Sequence, residues 1–398
     1  MKKYQLTQQI NLFSKEEIRN MVTIKEMTSK REMKAFVKFP FSLYQQDKHW
    51  VPPLTNDELE SMNKDRNPVF RNARAWFYLA YQNDKPVGRI AVIINDIEVN
   101  DQQKPKVRFG WFDVVDDIEV TKALLNKVEE IGKTENLEWM EGPVGFSNME
   151  RAGLLIQGFE YLNTMITSYN YPYYQEHFEH LGFEKAAEWV EFKIKIPPAS
   201  ESREKVKKFA QIIKERYKLK VIHFTKSKDI MPFVDDMFGL LNKTYNNLST
   251  FVPIQQYQID HYKEKYIKFI NPNFIKCIED AEGKLIAFSV IMPSFNEALK
   301  KANGSLFPFG FYHLLKARNK NDKAAFYLIG IDPEYQNKGL TAVIFQEMQD
   351  LFNENGIHEV ETNPELEENK AIQQLWKNYD HELHKRRRTY KKDLQIGI

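Results

Sequence analysis

The sequence predicts an α/β (α+β) chain of two similar halves, each a mixed sheet flanked by helices. Three observations predict this. The order strand–strand–strand–helix–strand–helix–strand occurs twice. Strands and helices alternate throughout, which is the pattern of sheets covered by helices. A proline-bearing joint, Ile196-Pro197-Pro198-Ala199-Ser200, separates the two copies. The chain has 398 residues, more than one ordinary domain needs. Residues 1–20 are assigned to an N-terminal extension, 21–198 to the first half and 199–398 to the second.

Each element follows from local chemistry. In the first copy, Ala75 to Tyr81 and Gly88 to Ile94 are β-rich runs around the turn Asn83-Asp84-Lys85-Pro86. In the second, Phe274 to Ile278 and Leu285 to Met292 flank Asp280-Ala281-Glu282-Gly283. A third strand follows in each, Phe109 to Val115 and Phe326 to Ile331, and then a helix, about Val120 to Lys133 and Leu340 to Asn355. The second helix carries Leu340, Val343, Ile344, Met348, Leu351 and Phe352 at helical spacing and stops at Gly356. Strands come next at Leu137 to Glu141 and Glu359 to Asn363. Each copy closes with a helix and a strand: Tyr173 to Gly182 with Trp189 to Ile196, and Asn369 to Tyr379 with Arg386 to Lys391.

The chemistry concentrates where the Phe326 strand ends, at Asp332-Pro333-Glu334-Tyr335-Gln336-Asn337-Lys338-Gly339-Leu340-Thr341. A glycine-bearing turn at the mouth of a long helix exposes unpaired N–H groups at the positive end of the helix dipole, which suits a pyrophosphate. Gly339 permits close approach and Thr341 offers a hydroxyl. This run resembles the acyl-CoA loop of the GNAT (GCN5-related N-acetyltransferase) superfamily, Gln/Arg-x-x-Gly-x-Gly/Ala. It matches at Gln336 and Gly339, with Thr341 replacing the usual last Gly or Ala. Ile331-Asp332-Pro333 resembles the family's strand end, and Asn369-Lys370-Ala371 with Leu375-Trp376 resembles its penultimate helix.

The resemblance implies two tandem GNAT-like domains with mostly antiparallel sheets, the second holding acyl-CoA or acetyl-CoA as cosubstrate. It implies contacts from Ile329, Ile331, Gln336, Asn337, Lys338, Gly339, Leu340, Thr341 and Asn369. The corresponding loop of the first half, Asp116-Asp117-Ile118-Glu119, has no glycine, and its carboxylates would repel a pyrophosphate. That half therefore reads as a GNAT fold without its cofactor loop.

Acyl transfer to an amine needs a base, donors for the oxyanion and an acid for the thiolate. In GNAT proteins a backbone N–H of the strand before the loop is the usual donor. No carboxylate stands within Phe326 to Ile331, where many relatives keep a glutamate, so Glu361 is the candidate base. Trp376 stands where relatives often have the acidic tyrosine, leaving Tyr327, Tyr335 or Tyr390 as substitutes. Over the whole chain the pattern is similar to tandem GNAT-like bacterial proteins that include ceramide synthases. The similarity lies in Phe307-Pro308-Phe309-Gly310, Glu365-Leu366-Glu367-Glu368-Asn369 and Lys385-Arg386-Arg387-Arg388. It implies a fatty acyl group passed to a long-chain amino alcohol. The alternatives are a small-molecule N-acetyltransferase and a non-catalytic acyl-CoA or lipid-binding module.

Several runs keep two readings. Gly142 to Phe159 is either a ligand-facing loop or a surface loop with turn glycines. Leu306 to Leu315 is either core or a lining for an alkyl chain or a membrane contact. Lys385 to Lys392 reads as a solvated edge strand, or else as a contact for a CoA phosphate, an acyl carrier protein or anionic lipid. His177 and His180, like His381 and His384, lack a companion ligand set, so no metal is expected.

A formal net charge of +2 gives nucleic-acid binding no global support. The same charge disfavours an aminoacyl-tRNA donor. The single cysteine, Cys277, excludes an internal disulfide and reads as a buried inert thiol. No apolar run approaches the roughly 20 residues of a membrane span, and Met1 to Asn20 does not read as a secretion signal. A cytoplasmic location is expected.

Overall fold

The computed structural model describes residues 21–147, 150–199, 204–246, 248, 250–267, 270–336, 338–369, 373, 376 and 379–394. Their strands join into one 14-stranded sheet. From one edge run β1 (Thr23–Glu26), β2 (Ala73–Gln82), β3 (Lys85–Asn95), β4 (Lys106–Val114) and β5 (Trp139–Gly142). From the other run β8 (Lys220–His223), β9 (Ile275–Glu279), β10 (Leu285–Pro293), β11 (Lys323–Ile331) and β12 (Glu359–Glu361). Two short strands, β6 (Leu154–Gln157) and β13 (Glu365–Leu366), pair beside this path. The order is the same in both copies, and in each the pair before the centre is parallel: β4 with β5, and β11 with β12.

At the centre the copies exchange their last strands. The closing strand of the second copy, β14 (Asp380–Asp393), lies between β5 and β7 (Glu184–Lys195) of the first. In return β7 pairs with β12 of the second copy, Glu359 opposite Lys195 and Glu361 opposite Lys193. The joint at 196–199 is thus a link in sequence, while hydrogen bonding runs unbroken across it.

Helices cover both faces. They are α1 (Lys30–Leu43), α2 (Thr55–Ser61), α3 (Ile118–Thr134), α4 (Tyr173–His180), α5 (Glu204–Arg216) and α6 (Ser227–Ile230). Then come α7 (Val234–Tyr245), α8 (Gln256–Lys265), α9 (Asn296–Ala302), α10 (Gly310–Asn319) and α11 (Leu340–Glu354). In the first copy, Val120, Leu124, Leu125 and Val128 of α3 pack with Val92, Val107 and Phe109 on one face, and Phe36 and Val37 of α1 pack with Phe77 and Ile93 on the other. In the second, Val343, Ile344, Met348 and Phe352 of α11 meet Ile286, Phe326 and Val360, while Met237, Leu240 and Leu241 of α7 cover Cys277, Phe288 and Val290.

Local signals explain the boundaries. Asn83 and Asp84 both take positive φ, 49° and 59°, the two-residue hairpin turn that matches strand twist. The Asp117 carboxylate accepts from the Glu119 N–H at 2.9 Å and caps α3. Gly356, at φ 68°, ends α11, and the Ile357 N–H returns to the Phe352 carbonyl at 2.8 Å. Burial pushes the Cys277 thiol up to about 12, so it stays protonated and inert.

Two sequence expectations need correction. The Lys385 to Lys392 run is not a solvated edge: β14 is the central strand, with Lys385 and Arg387 fully buried. Each finds a carboxylate, Arg387 Nε at 2.5 Å from Glu191 and Lys385 Nζ at 3.8 Å from Glu361. Alternating polar residues mark an edge only when the neighbouring strands bring no counter-charge. The second correction concerns Leu306 to Leu315, which is not core: Phe307, Phe309, Phe311 and Tyr312 are exposed. The N-terminal extension and most of the Asn369 to Tyr379 helix lie outside the described residues; Gln373 and Trp376 are helical.

Candidate active site

The parallel pairs decide where a ligand can enter. β11 and β12 share only Lys323 to Ala325 and Glu359 to Glu361. Beyond Glu361 the chain follows β7, with Thr362 N–H donating to the Phe192 carbonyl, while β11 stays on β10. The two strands therefore splay apart from Phe326 onward. A register shift opposite Val290 and Ile291 leaves Tyr327 as a bulge residue on β11.

Among the described residues, the bonds that reach the gap-facing carbonyls of β11 come from side chains. Asn363 Nδ2 donates to the Tyr327 carbonyl, Tyr245 Oη to the Ile329 carbonyl at 3.1 Å, and Thr244 Oγ1 to the Ile331 carbonyl at 3.4 Å. In a strand, the N–H and C=O of one residue point the same way. The N–H groups of Ile329 and Ile331 therefore face the splay as well.

The first copy closes the equivalent gap with its own backbone. Val144 N–H donates to the Phe109 carbonyl at 2.8 Å, beyond the last β4–β5 pair. A Cβ on Gly110 would stand 2.5 Å from the Val144 carbonyl oxygen, so only glycine permits this approach. That splay is filled, and the helix behind it is capped by Asp117.

At the end of β11, Asp332 is buried and neutralised by Lys243 at 2.8 Å and Lys284 at 3.3 Å, and it caps the turn through the Glu334 N–H. Gln336 folds back to donate to the Ile331 carbonyl at 3.2 Å. Gly339 takes φ 85° as the residue before α11 and supplies no side-chain cap, so the first-turn N–H groups of α11 lack one. Lys338 lies over the rings of Tyr335 at 4.8 Å and Tyr217 at 5.8 Å, an exposed cation beside that turn. The side of Gly339 where a Cβ would stand is filled by Ile213 and Phe209 of α5, at 3.0 and 3.2 Å. Leu340 is core, so only its backbone is available, and Thr341 is half-buried. Asn337 lies outside the described residues, and the Asn369 N–H closes a turn onto the Leu366 carbonyl.

The four catalytic candidates do not converge, and Tyr390 is buried in the core of the first copy. Tyr335 Oη donates to Asp280 at 3.3 Å, at the far end of β11 from Glu361. Tyr327 packs among the residues under α7 and α8, where burial raises its hydroxyl to about 12. Glu361 sits against His384 at 3.5 Å and Lys385 at 3.8 Å. Burial works to raise its carboxyl, but Lys385, then His384 and Lys193, outweigh it and hold it at about 2. Glu361 as it stands is a poor base, because a group so stable as the anion has little affinity for a proton.

A different carboxylate has the properties sought. Glu365, on β13, is raised to about 8 by burial, against hydrogen bonds from Trp376 and Thr362 that lower it. Its Oε1 accepts from Trp376 Nε1 at 2.9 Å, while its Oε2 is buried with no hydrogen-bond partner among the described residues. It lies close enough to Tyr245 for its charge to add to the burial that lifts that hydroxyl to about 12. Tyr245 thus stands beside Ile329 at the splay and senses the charge of Glu365. Sequence reasoning gave neither a catalytic role: Tyr245 is remote in sequence, and Glu365 stood out only as the first residue of the Glu365-Leu366-Glu367-Glu368-Asn369 run, two residues past the strand expected to end at Asn363. In the Gly142 to Phe159 loop, Glu150 is half-buried with its carboxyl raised to about 7, chiefly by desolvation, and its Oε2 accepts from the Phe146 N–H at 2.8 Å.

Fold and strand order define the class: the chain has the tandem GNAT fold, with a splayed parallel pair in each half. A tandem GNAT protein from the clavulanic acid biosynthesis pathway matches 94% of this chain and 99% of its own at 9% identity, with a TM-score of 0.54. In sequence, the chain is similar to protein YghO of Escherichia coli (strain K12), 27% identical over 93% of this chain and 95% of that protein. It is also similar to the bacterial ceramide synthase of Caulobacter vibrioides (strain NA1000 / CB15N), 24% identical over 91% and 95%. No protein-family model matches. Among the described residues no cluster of metal-ligating side chains occurs, and no helix is long and apolar enough to cross a membrane.

Proposed function

We propose that the chain is an acyl-CoA-dependent N-acyltransferase whose reaction takes place in the β11–β12 splay of the second half. The observation that carries this reading is the contrast between the two splays. One is filled by backbone, while the other is bridged by side chains and leads to a helix without a side-chain cap. The first-turn N–H groups of Leu340 and Thr341, with Lys338, would hold the pyrophosphate of CoA. Gln336, Gly339 and the neighbouring Asn337 would shape that turn, and the peptide groups of Ile329 and Ile331 would hold the arm leading to the thioester. Asn369 belongs to the same set by resemblance.

The residues then divide the work. Glu365 takes the proton from the ammonium form of the acceptor, because its raised pKa makes it a far stronger base than Glu361. The amine nitrogen bonds to the thioester carbonyl carbon, a splay-facing N–H of β11 supports the oxygen, and the carbon–sulfur bond breaks. Tyr245 would donate a proton to the departing sulfur and regain one from the amine nitrogen, which sheds its second proton as the amide forms. Glu361 holds the buried cations of β14. Tyr327 and Tyr335 act on position rather than on protons.

Similarity to a bacterial ceramide synthase across nine-tenths of the chain favours a fatty acyl group and a long-chain amino alcohol. Acyl-CoAs from acetyl to palmitoyl, crossed with small and long-chain amines, test this through released thiol. Thiol release that needs an amine and rises with acyl length is the expected result. A maximum with acetyl-CoA would leave a small-molecule N-acetyltransferase. Binding without amine-dependent release would leave a non-catalytic acyl-CoA module.

A further inference from the structure

The β10–β11 connection presents six large apolar side chains to solvent: Leu306, Phe307, Phe309, Phe311, Tyr312 and Leu315. Phe307 is 78% exposed and Phe309 73%, so folding gains almost nothing from either ring. Such a concentration on one short stretch marks an interaction surface rather than scattered surface residues.

The segment is held in place. Gly304 packs against Phe41, and its carbonyl accepts from the Thr55 N–H at 3.0 Å. The Phe311 N–H donates to the Leu306 carbonyl at 2.8 Å and the Tyr312 N–H to the Phe309 carbonyl at 3.1 Å. The Phe307 and Phe311 rings lie 6.0 Å apart. The rings are therefore presented from an ordered turn and the first turn of α10.

Charge identifies the occupant. Residues 296–322 contain Lys300, Lys301, Lys316, Arg318 and Lys320 against Glu297 and Asp322, a surplus of three positive charges in a chain of net +2. Among the described residues none of Lys301, Lys316, Arg318 and Lys320 forms an ion pair, and Lys301, Lys316 and Lys320 are exposed. Exposed aromatic side chains with unpaired cations on the flanking helices match an anionic bilayer surface, where rings enter the headgroup boundary and cations meet lipid phosphates.

We infer that the Leu306–Leu315 turn and α10 dock the protein reversibly on an anionic lipid surface. This rests on the patch alone and not on the acyltransfer reading. It gives that reading a route to water-insoluble substrates.

The test is co-sedimentation of the full chain with vesicles of phosphatidylcholine, alone or mixed with phosphatidylglycerol. Binding is expected on the mixed vesicles and should weaken with added salt. Phe307→Asp with Phe309→Asp should lower partitioning about tenfold or more, since two rings lose their burial. Lys316→Glu with Lys320→Glu should lower binding to mixed vesicles while leaving the weak binding to neutral ones unchanged. Melting curves matching the parent establish that these exposed substitutions leave the fold intact. Equal partitioning of parent and Phe307→Asp/Phe309→Asp, or no binding by the parent, would overturn the inference. So would a concentration-dependent dimer without lipid that the double variant loses, which assigns the patch to a second copy of the chain. Thiol release with a short acyl-CoA and a soluble amine should survive in the double variant, which keeps failure of docking distinct from failure of catalysis.

Discussion

Replacing Glu365 by glutamine is expected to lower kcat by about 10²–10⁴-fold while leaving acyl-CoA affinity within about twofold. Glutamine can still accept the Trp376 hydrogen bond, so what is lost is the proton acceptor. In the parent, the rate should rise with pH through about 8, as Glu365 ionises. The variant should lose that limb. Folding gives an independent sign. A carboxyl raised from its unfolded value to about 8 keeps its proton only in the fold, so its contribution to stability falls as pH rises between those values. Glu365→Gln removes that penalty and should be no less stable than the parent at pH 8 and above. Parent-like turnover in the variant would move the role to Glu150 or to solvent; Glu361→Gln, by contrast, should act mainly on stability.

The second large effect is on the shared sheet. Arg387 is fully buried on β14, with Nε on Glu191, Nη2 on Asn163 at 3.1 Å and Nη1 on the Ser168 carbonyl. Arg387→Ala leaves the Glu191 charge buried without its partner and should cost about 3–5 kcal/mol. Arg387→Met combined with Glu191→Leu, which removes both charges, should recover most of that loss. β14 belongs in sequence to one half and in pairing to the other, so denaturant should unfold the chain in a single transition that the variant shifts as a whole. Two separate transitions, only one of them moved, would show that the exchanged strands do not couple the halves.

Local chemistry made much of the architecture legible. Asn83-Asp84 specified its turn because two positive-φ residues suit it, and α11 announced its length by apolar spacing and the glycine at its end. The loop at Gly339 was visible because it is contiguous. What was not visible depends on pairing across long sequence distances. The run Lys385 to Lys392 reads as solvated until Glu191 and Glu361 are placed beside it. Glu361 reads as a candidate base until Lys385 and His384 arrive from β14. Tyr245 and Glu365 are 120 residues apart in the chain, and the charge of one reaches the other only in the folded protein. The N-terminal part of the second half hid a helix as well: α5 lies against the turn at Gly339, where the sequence suggested only ligand.

The central claim is that CoA is held at the α11 turn of the second half and not at the α3 turn of the first. Calorimetric titration of CoA into the full chain carrying Thr341→Glu tests it most directly. A carboxylate in the first turn of a helix is favourable for the helix, so the variant should fold and melt at or above the parent temperature. Facing a pyrophosphate at the same N–H groups, it should lower CoA affinity by about tenfold or more. Asp117→Ala, which uncaps α3, should leave the affinity unchanged. Undiminished CoA binding by folded Thr341→Glu, or a loss that appears instead on Asp117→Ala, would contradict the assignment.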